Sequence, residues 1–348
     1  MFTRLTLKHF RAFGNLDVKR LAPINLFTGK NNSGKTSFLE GVFLLSGAGN
    51  PQLSVNTNVV RGIDSAQAHT VGETLWKPLF NEFDMEKPLS VSGMHSSLGP
   101  MTLQISSEQA GNFQLSLKDS KPSFPSGNGG SEALLFSFRR GAAQPVETRI
   151  NLTSTGFEIA EANRSVPFQA VILTSRIGNN QEDAIRLGQL RKRKQGDLVL
   201  DALRIVEPSL VSVEDNVALG TPMIWGDIGL PELVPLPVMG EGMSRIARVI
   251  LAIASVPGGI VLIDEFENGI HHSALGELWK AVFKAATQFN VQVFATTHSF
   301  ECARAAQASL KEDSILLHRL ERGKDIARCV TYSSEEFDNA VAHNLEVR

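Results

Sequence analysis

The sequence predicts an α/β protein with a mainly parallel core sheet, an added antiparallel β sheet and a small helical insertion. Three stretches predict it. Gly29-Lys30-Asn31-Asn32-Ser33-Gly34-Lys35-Thr36 matches the phosphate-loop pattern G-x-x-x-x-G-K-[ST]. An apolar stretch, Ile24–Thr28, precedes it as a buried strand, and helical spacing (Phe38, Leu39, Val42, Phe43) follows it as far as Gly47. Ile260-Val261-Leu262-Ile263-Asp264-Glu265 is a continuous apolar run ending in two carboxylates, as in a strand buried on both faces of a parallel sheet. Between residues 101 and 160, short runs of strand type are separated by Gly-rich or Pro-rich breaks, the pattern of an antiparallel sheet laid beside that core.

In chain order, residues 2–13 alternate apolar and polar positions (Leu5, Leu7, Phe10), Gly14-Asn15 offers a turn, and a second strand at 16–18 leads to Ile24. After Gly47 the composition changes. Residues 48–100 are rich in Gly, Pro, Asn and Ser, with scattered apolar residues such as Leu75, Trp76, Leu79 and Phe80, and read as an insertion carrying one or two short helices. Strands are expected at 101–105, 113–117, 134–138, 148–152 and 157–160, with a loop over 121–130, and another apolar strand at 168–173. Residues 181–205 read as helix, whose cationic run Arg191-Lys192-Arg193-Lys194 makes either a solvated face or a nucleic-acid contact. One helix opens at Met239-Gly240-Glu241-Gly242-Met243-Ser244, with apolar spacing at Ile246, Val249, Ile250 and Ile253. A later one carries Leu275, Leu278, Trp279, Val282, Phe283 and Ala286. Residues 291–297 form a further buried strand ending at His298, and a strand pair, 314–320 and 326–332, follows around Arg322-Gly323-Lys324-Asp325. The expected division is a discontinuous core, 1–47 and 165–348; a variable insertion with the antiparallel subdomain, 48–164; and a short helical segment, 177–206.

The first motif fits one chemistry. Glycines let successive backbone N–H groups turn inward with no Cβ in the way, and the positive end of the following helix faces the same anion. Gly29, Asn31, Asn32, Ser33, Gly34, Lys35, Thr36 and Ser37 are therefore candidate nucleotide-binding residues. Lys35 would reach the β/γ-phosphates as a point charge, and the Thr36 hydroxyl would ligate Mg²⁺. Ligands sit at the carboxyl ends of parallel strands, so Asp264 is a candidate Mg²⁺-side carboxylate. Glu265 is placed to orient and partly deprotonate an attacking water. His298, at another buried strand end, could hydrogen-bond the γ-phosphate or that water, against the structural use such a histidine more often has. Gly240, Gly242 and Ser244 open a helix whose start can present N–H groups to an anion. The phosphate loop already holds one nucleotide, so this second anion site is expected to face the nucleotide of a neighbouring subunit. His271-His272 invites a metal reading, but neighbouring side chains on a helix or turn diverge and no Cys or third His stands nearby.

Composition narrows the partners. The 348 residues carry 34 Lys and Arg against 36 Asp and Glu, net −2, which is ample chain for a core but supplies no global field for nucleic acid. A DNA partner would have to meet a local patch, and the first forty residues are indeed basic, with Arg4, Lys8, Arg11, Lys19, Arg20, Lys30 and Lys35 against Asp17 and Glu40. Cys302 and Cys329 form neither a metal set nor a disulfide framework, which suits a reducing cytoplasm. The N-terminus has no signal-peptide core. The most apolar run, 249–263, is broken by Pro257-Gly258-Gly259 and is too short to span a bilayer, so a cytoplasmic protein with no membrane partner is expected.

In this order the motifs resemble the ABC-type ATPases of the chromosome-maintenance, RecF and OLD group, and above all the stand-alone "AAA family, ATP/GTP phosphatase-like" branch. LTLKHFRAF…INLFTGKNNSGKTSFLEGVFLL, GEGMSRIARVILAIA, IVLIDEFENGIHHSAL and FATTHS carry the resemblance, which covers residues 1–45 and 165–335. It implies a P-loop NTPase fold of the ABC-ATPase head type. Within that fold Gly29 to Thr36 is Walker A, Asp264 and Glu265 are the Walker B pair, and His298 is the switch histidine. Asn268 to His271 is the D-loop, and Gly240 to Ser244 the signature. It further implies ATP and Mg²⁺, and a homodimer or higher oligomer in which two subunits bury two ATP molecules head to tail. Met239-Gly240 stands where the family norm is a Ser followed by small residues, which leaves the trans γ-phosphate contact weaker or moved to Ser244 or Arg245. The Q-loop glutamine stays open between Gln169 and Gln181. OLD relatives append a Toprim nuclease domain; no Asp-x-Asp occurs in this chain, so effector chemistry is expected from a separate protein.

Three functions are then in play. The first is an ATP-hydrolysing regulatory ATPase, dimerised by ATP, that controls a separate effector such as a nuclease or toxin, with phage defence as its setting. The second is a RecF-like DNA-repair ATPase, motivated by the basic N-terminal segment and Arg191 to Lys194. The third is a nucleotide-gated scaffold with little turnover, suggested by the altered signature.

Overall fold

The computed structural model describes residues 1–47, 50–54, 57, 61, 76–109, 132–153, 156–160, 168–174, 178, 180–218, 220–310, 314–323 and 327–342. Its centre is a six-stranded sheet built from β3 (Ile24–Thr28), β9 (Ala170–Leu173), β13 (Ile260–Ile263), β14 (Gln292–Thr296), β15 (Ile315–Glu321) and β16 (Arg328–Tyr332), in the order β16-β15-β3-β14-β13-β9. All neighbours are parallel except the edge hairpin β15–β16. Every residue of β3, β13 and β14 is buried, which is why their sequences run apolar without alternation.

A seven-stranded antiparallel sheet faces this one, in the order β2-β1-β4-β5-β6-β7-β8. It comprises β1 (Phe2–Phe10), β2 (Phe13–Val18), β4 (Leu89–His95), β5 (Gly99–Gln109), β6 (Glu132–Arg140), β7 (Val146–Thr153) and β8 (Gly156–Ala160). The expected sheet over 101–160 is thus present but larger, since β1 and β2 join it through the pairing of β1 with β4. The strand expected at 113–117 and the loop at 121–130 lie outside the described residues. Helix α1 (Lys35–Ser46) is held between the two sheets. Its Phe38, Leu39 and Val42 share one apolar cluster with Leu5, Leu7 and Phe10 of β1, Phe27 of β3 and Phe294 of β14. A Cβ on Gly41 would lie 2.6 Å from Leu7 Cδ2, so the glycine lets the helix approach β1 closely.

The other face of the parallel sheet is covered by α4 (Glu241–Ser255), α5 (Leu275–Phe289) and α6 (Phe300–Ser309). The predicted apolar stripe of α5 is its buried face except at Phe283, which is half-buried, and Trp279 stacks on Phe266 with centroids 3.8 Å apart. Each fully buried side chain of that size contributes about 1.5–3 kcal/mol. The helix expected over 181–205 is two helices, α2 (Asn180–Lys192) and α3 (Asp197–Leu203). They are parted at Lys194, whose φ is 60°. The cationic run lies at the end of α2, where positive charge complements the helix dipole, and Arg191 pairs with Asp215 at 2.8 Å. Asp215 belongs to a three-stranded sheet, β10 (Ser212–Ala218), β11 (Thr221–Asp227) and β12 (Val234–Pro235), that packs with α2 and α3 over α4. Its strands carry Glu, Asp, Asn, Pro and Gly, and so give no strand signal in the sequence. A last helix, α7 (Ser334–Ala342), follows β16. No helix among the described residues is long and apolar enough to cross a membrane.

Candidate active site

The carboxyl ends of β3, β14, β13 and β9 line up, because β13 pairs in register with β14 on one side and β9 on the other. The phosphate loop leaves β3. Gly29 and Gly34 take φ of 143° and 97°, conformations an L side chain rarely adopts. A Cβ on Gly29 would lie 2.5 Å from the Leu320 carbonyl oxygen, and one on Gly34 2.5 Å from Phe13 Cζ. Both positions therefore require glycine. Asn31 and Asn32 are exposed on the loop, and Ser33 and Ser37 are buried. Helix α1 begins at Lys35 with no side-chain cap and no acidic residue in its first turn, so its orphan N–H groups and dipole are free for an anion. The buried Ser33 Oγ likewise has no partner among the described residues.

The Lys35 Nζ donates to the carbonyl oxygens of Gly29 at 2.6 Å and Lys30 at 3.1 Å, folding the ammonium back onto the loop. Burial pushes its pKa down to about 8, against the pull of Asp264, Glu267 and Glu265. An arriving phosphate would place an anion in direct contact with this ammonium, which bonds only main-chain carbonyls here. Thr36 Oγ1 donates to Asp264 Oδ2 at 3.0 Å, so the two predicted Mg²⁺-side groups already touch across the site.

Between the phosphate-loop strand and the carboxylate strand lies β14, and its last residue joins them. Thr296 Oγ1 donates to Asp264 Oδ1 at 2.6 Å and accepts from the Glu265 backbone N–H at 2.9 Å. On the far side Arg245 of α4 donates to the carbonyl oxygens of Asp264 (2.7 Å), Glu265 (3.1 Å) and Thr174 (3.1 Å). These bonds hold Glu265 in a left-handed conformation, φ 50°, that costs about 1–3 kcal/mol for a residue with a side chain. Burial lowers the pKa of Arg245, with Arg248 adding to the effect. The Glu265 carboxylate faces His298, Oε1 to Nε2 at 3.9 Å, and both side chains remain about two-fifths exposed at 40% and 39%. Glu267 Oε1 accepts from the backbone N–H groups of His298 (2.8 Å) and Ser299 (3.1 Å).

Gly240, Gly242 and Ser244 lie at the start of α4, against the turn after β13 in the same chain. A Cβ on Gly242 would lie 2.7 Å from the Gly269 carbonyl oxygen. Glu241, Ser244, Arg245, Arg248 and Asn268 line a cavity of about 310 Å³ there. The guanidinium of Arg245 is directed at main-chain carbonyls of its own chain, which leaves Ser244, whose buried Oγ has no partner among the described residues, as the freer of the two side chains weighed for the trans contact. Gln169 sits at the amino end of β9, its carbonyl accepting from Ile260 N–H, and Gln181 is exposed in the first turn of α2. The residue at the carboxyl end of β9 is Thr174. His271 Nδ1 lies 2.9 Å from Ser273 Oγ at the start of a 3-10 turn, and the described residues hold no group of three or more His, Cys, Asp and Glu fit for a metal.

The sequence reading missed Thr296, Glu267 and a buried ion cluster behind the loop, and it named Arg245 for a trans contact rather than for the main-chain carbonyls that it holds. Glu40 of α1, fully buried, forms an ion pair with Arg11 Nε at 2.8 Å and accepts hydrogen bonds from Arg61 at 2.7 and 2.8 Å, and Arg61 Nη2 also donates to Ser37 Oγ at 3.2 Å. Burial lowers the Arg11 pKa to about 10, while the hydrogen bond to Glu40 raises that of Arg61. One signal was available: a lone carboxylate amid FLEGVFLL has to be paired if the helix is buried.

This fold and this loop define a P-loop ATPase with a head of the ABC type. The family described as "AAA domain, putative AbiEii toxin, Type IV TA system" matches residues 24–301, and the chain belongs to it. The chain is 22% identical over 335 residues to an "ATP/GTP phosphatase" of Helicobacter pylori, with 90% of this chain and 89% of that protein covered. Among solved structures, an Smc head bound to the C-winged helix domain of ScpA has the same fold, with TM-score 0.56 and 11% identity over 97% of this chain and 99% of that one. A second Smc head, bound to the C-terminal domain of ScpA derived from Pyrococcus furiosus, gives TM-score 0.49 and 10% identity over 99% of each chain.

Proposed function

We propose that this ATPase works as a head-to-tail dimer closed around two ATP molecules, and that the cycle of closing and opening controls a separate effector protein, a nuclease or toxin, in phage defence. The observation that carries the reading is the exposure of the Glu265–His298 pair. Hydrolysis needs a dry site, yet two-fifths of each side chain stands open to solvent, and Val238, just ahead of Gly240, is 73% exposed. A second copy, presenting the start of its own α4, supplies a cover of matching chemistry. The family description speaks of a toxin and the Smc head relative is bound to a partner domain, which supports control of another protein.

In this reading Lys35 leaves the Gly29 and Lys30 carbonyls for the β/γ-phosphates, and the N–H groups of residues 34–37 take the remaining phosphate oxygens. Thr36 and Asp264, now bonded to each other, are the groups that would hold Mg²⁺; the glycines that no Cβ may replace and the unpartnered Ser33 hydroxyl fit that cradle. Mg²⁺ bound there would offset phosphate charge. Glu265 accepts the proton of the attacking water as its oxygen bonds the γ-phosphorus and the bond to the β-phosphate bridge breaks. His298 steadies that water or the γ-phosphate.

Sedimentation of Glu265→Gln with saturating Mg-ATP tests the dimer: a stable twofold rise in mass is expected, and a persistent monomer sinks it. Retention on duplex DNA at low salt, lost steeply as salt rises, would instead favour the RecF-like alternative.

A further inference from the structure

We infer that Glu267 is a positioning residue for hydrolysis: its carboxylate ties the turn after β13 to the turn after β14 and so sets His298 over Glu265. The inference rests on the assignment of Glu265 and His298 to the hydrolytic step. It names a residue that neither the phosphate loop nor the carboxylate pair includes.

The geometry is a short bridge. Glu265 and Glu267 stand on one turn, and His298 and Ser299 on the neighbouring one. Two contacts link the turns at the side-chain level: Glu265 Oε1 to His298 Nε2 at 3.9 Å, and Glu267 Oε1 to the N–H groups of His298 and Ser299 at 2.8 and 3.1 Å. The first is loose and half-open to water. The second is short, charge-assisted and two-pronged. Residue 298 follows a buried strand and precedes α6, whose N-cap Ser299 accepts from Cys302 N–H at 3.0 Å. Its N–H is therefore an orphan that neither sheet nor helix satisfies, and Glu267 is what satisfies it. A carboxylate also suits the positive end of α6.

The consequence concerns the imidazole. With its backbone nitrogen pinned, the side chain of His298 can swing only about its own torsions, and its reach to Glu265 is set by the Glu267 bond length. Remove that bond and the turn can relax toward solvent, taking the ring off the carboxylate. Misplacement by about 1 Å at a reacting centre can cost on the order of a hundredfold in rate. Glu267 also pulls electrostatically on the Lys35 ammonium of the phosphate loop, so Glu267→Ala and Glu267→Gln remove the same charge from the nucleotide site, and any change in affinity on that account is common to both.

The experiment is a double-mutant cycle on the full chain, with kcat and KM for ATP hydrolysis measured beside nucleotide affinity from equilibrium titration. We expect Glu267→Ala to lower kcat by about ten- to a hundredfold, with nucleotide affinity matching that of Glu267→Gln within about threefold. Glu267→Gln keeps an acceptor oxygen in place and is expected to recover most of that loss, whereas Glu267→Asp, one methylene short, is not. In the His298→Ala background the same Glu267→Ala change is expected to add less than about twofold, because a positioning residue has nothing left to position. Full multiplication of the two losses, wild-type kcat in Glu267→Ala, or equal losses in Glu267→Gln and Glu267→Asp would each overturn the inference. Should Glu267→Ala fail to fold, the Gln and Asp pair decides alone. If His298→Ala hydrolyses ATP like the wild type, the assignment of His298 fails, and this inference falls with it; a monomeric Glu265→Gln protein would sink the dimer while leaving the cycle readable.

Discussion

The Lys35 ammonium is folded back onto the carbonyl oxygens of its own loop, and burial lowers its pKa to about 8. The folded chain binds this proton less tightly than the unfolded one, whose lysine titrates near 10.5, so stability should rise as pH climbs from about 8 toward 10.5. Thermal melts of the nucleotide-free protein against pH should show that limb, and Lys35→Met should flatten it. The same substitution should abolish ATP binding, measured by titration calorimetry. Thr296 offers a second test. Thr296→Val keeps the shape of β14 but removes the donor to Asp264 and the acceptor for the Glu265 N–H, and should destabilise by about 1–3 kcal/mol in chemical denaturation while lowering kcat. Behind the loop, Glu40→Ala strands the buried Arg11 and should cost about 3–5 kcal/mol.

Elements meet at this site through their ends. The start of α4 lies on the turn after β13 only because Gly242 presents no Cβ to the Gly269 carbonyl. Gly242→Ala should push the two apart and cost about 1–3 kcal/mol, seen as a lowered Tm, with kcat falling as Arg245 loses its grip on the Glu265 carbonyl. Much of the element layout is legible in the sequence. The unbroken apolar runs of β3, β13 and β14 signal strands buried on both faces, and the stripe of α5 signals a helix with one. The sheet β10–β11–β12 is not legible, because its polar strands are stabilised by packing against α2 and α4 rather than by any pattern of their own. Nor is the break between α2 and α3, where a run of good helix formers is interrupted by a left-handed Lys194.

At the scale of the whole molecule, two sheets with α1 between them place the phosphate loop against both: Gly34 meets Phe13 of the antiparallel sheet, and Gly29 meets Leu320 of the parallel one. A nucleotide that bridges two copies should make stability depend on protein concentration. Mg-ATP at a hundredfold excess over its Kd stabilises a one-site monomer by about 2.7 kcal/mol whatever the protein concentration. For Glu265→Gln the gain in Tm should grow as the protein is concentrated. A Tm gain that stays constant across a wide concentration range would speak for closure without a partner.

The sequence alone determined the parallel core, the phosphate loop and the paired carboxylates, because each is written as a local pattern: glycines at set spacing, an apolar run, a strand end. Only the tertiary structure decided which side chains stand behind them. Thr296, Arg245, Glu267 and the Arg11–Glu40–Arg61 cluster come from separate stretches of chain, and no local pattern names their partners. They are brought together by the strand order β3-β14-β13 and by α1 lying between two sheets, and a hydrogen bond between residues far apart in sequence exists only once the chain has folded.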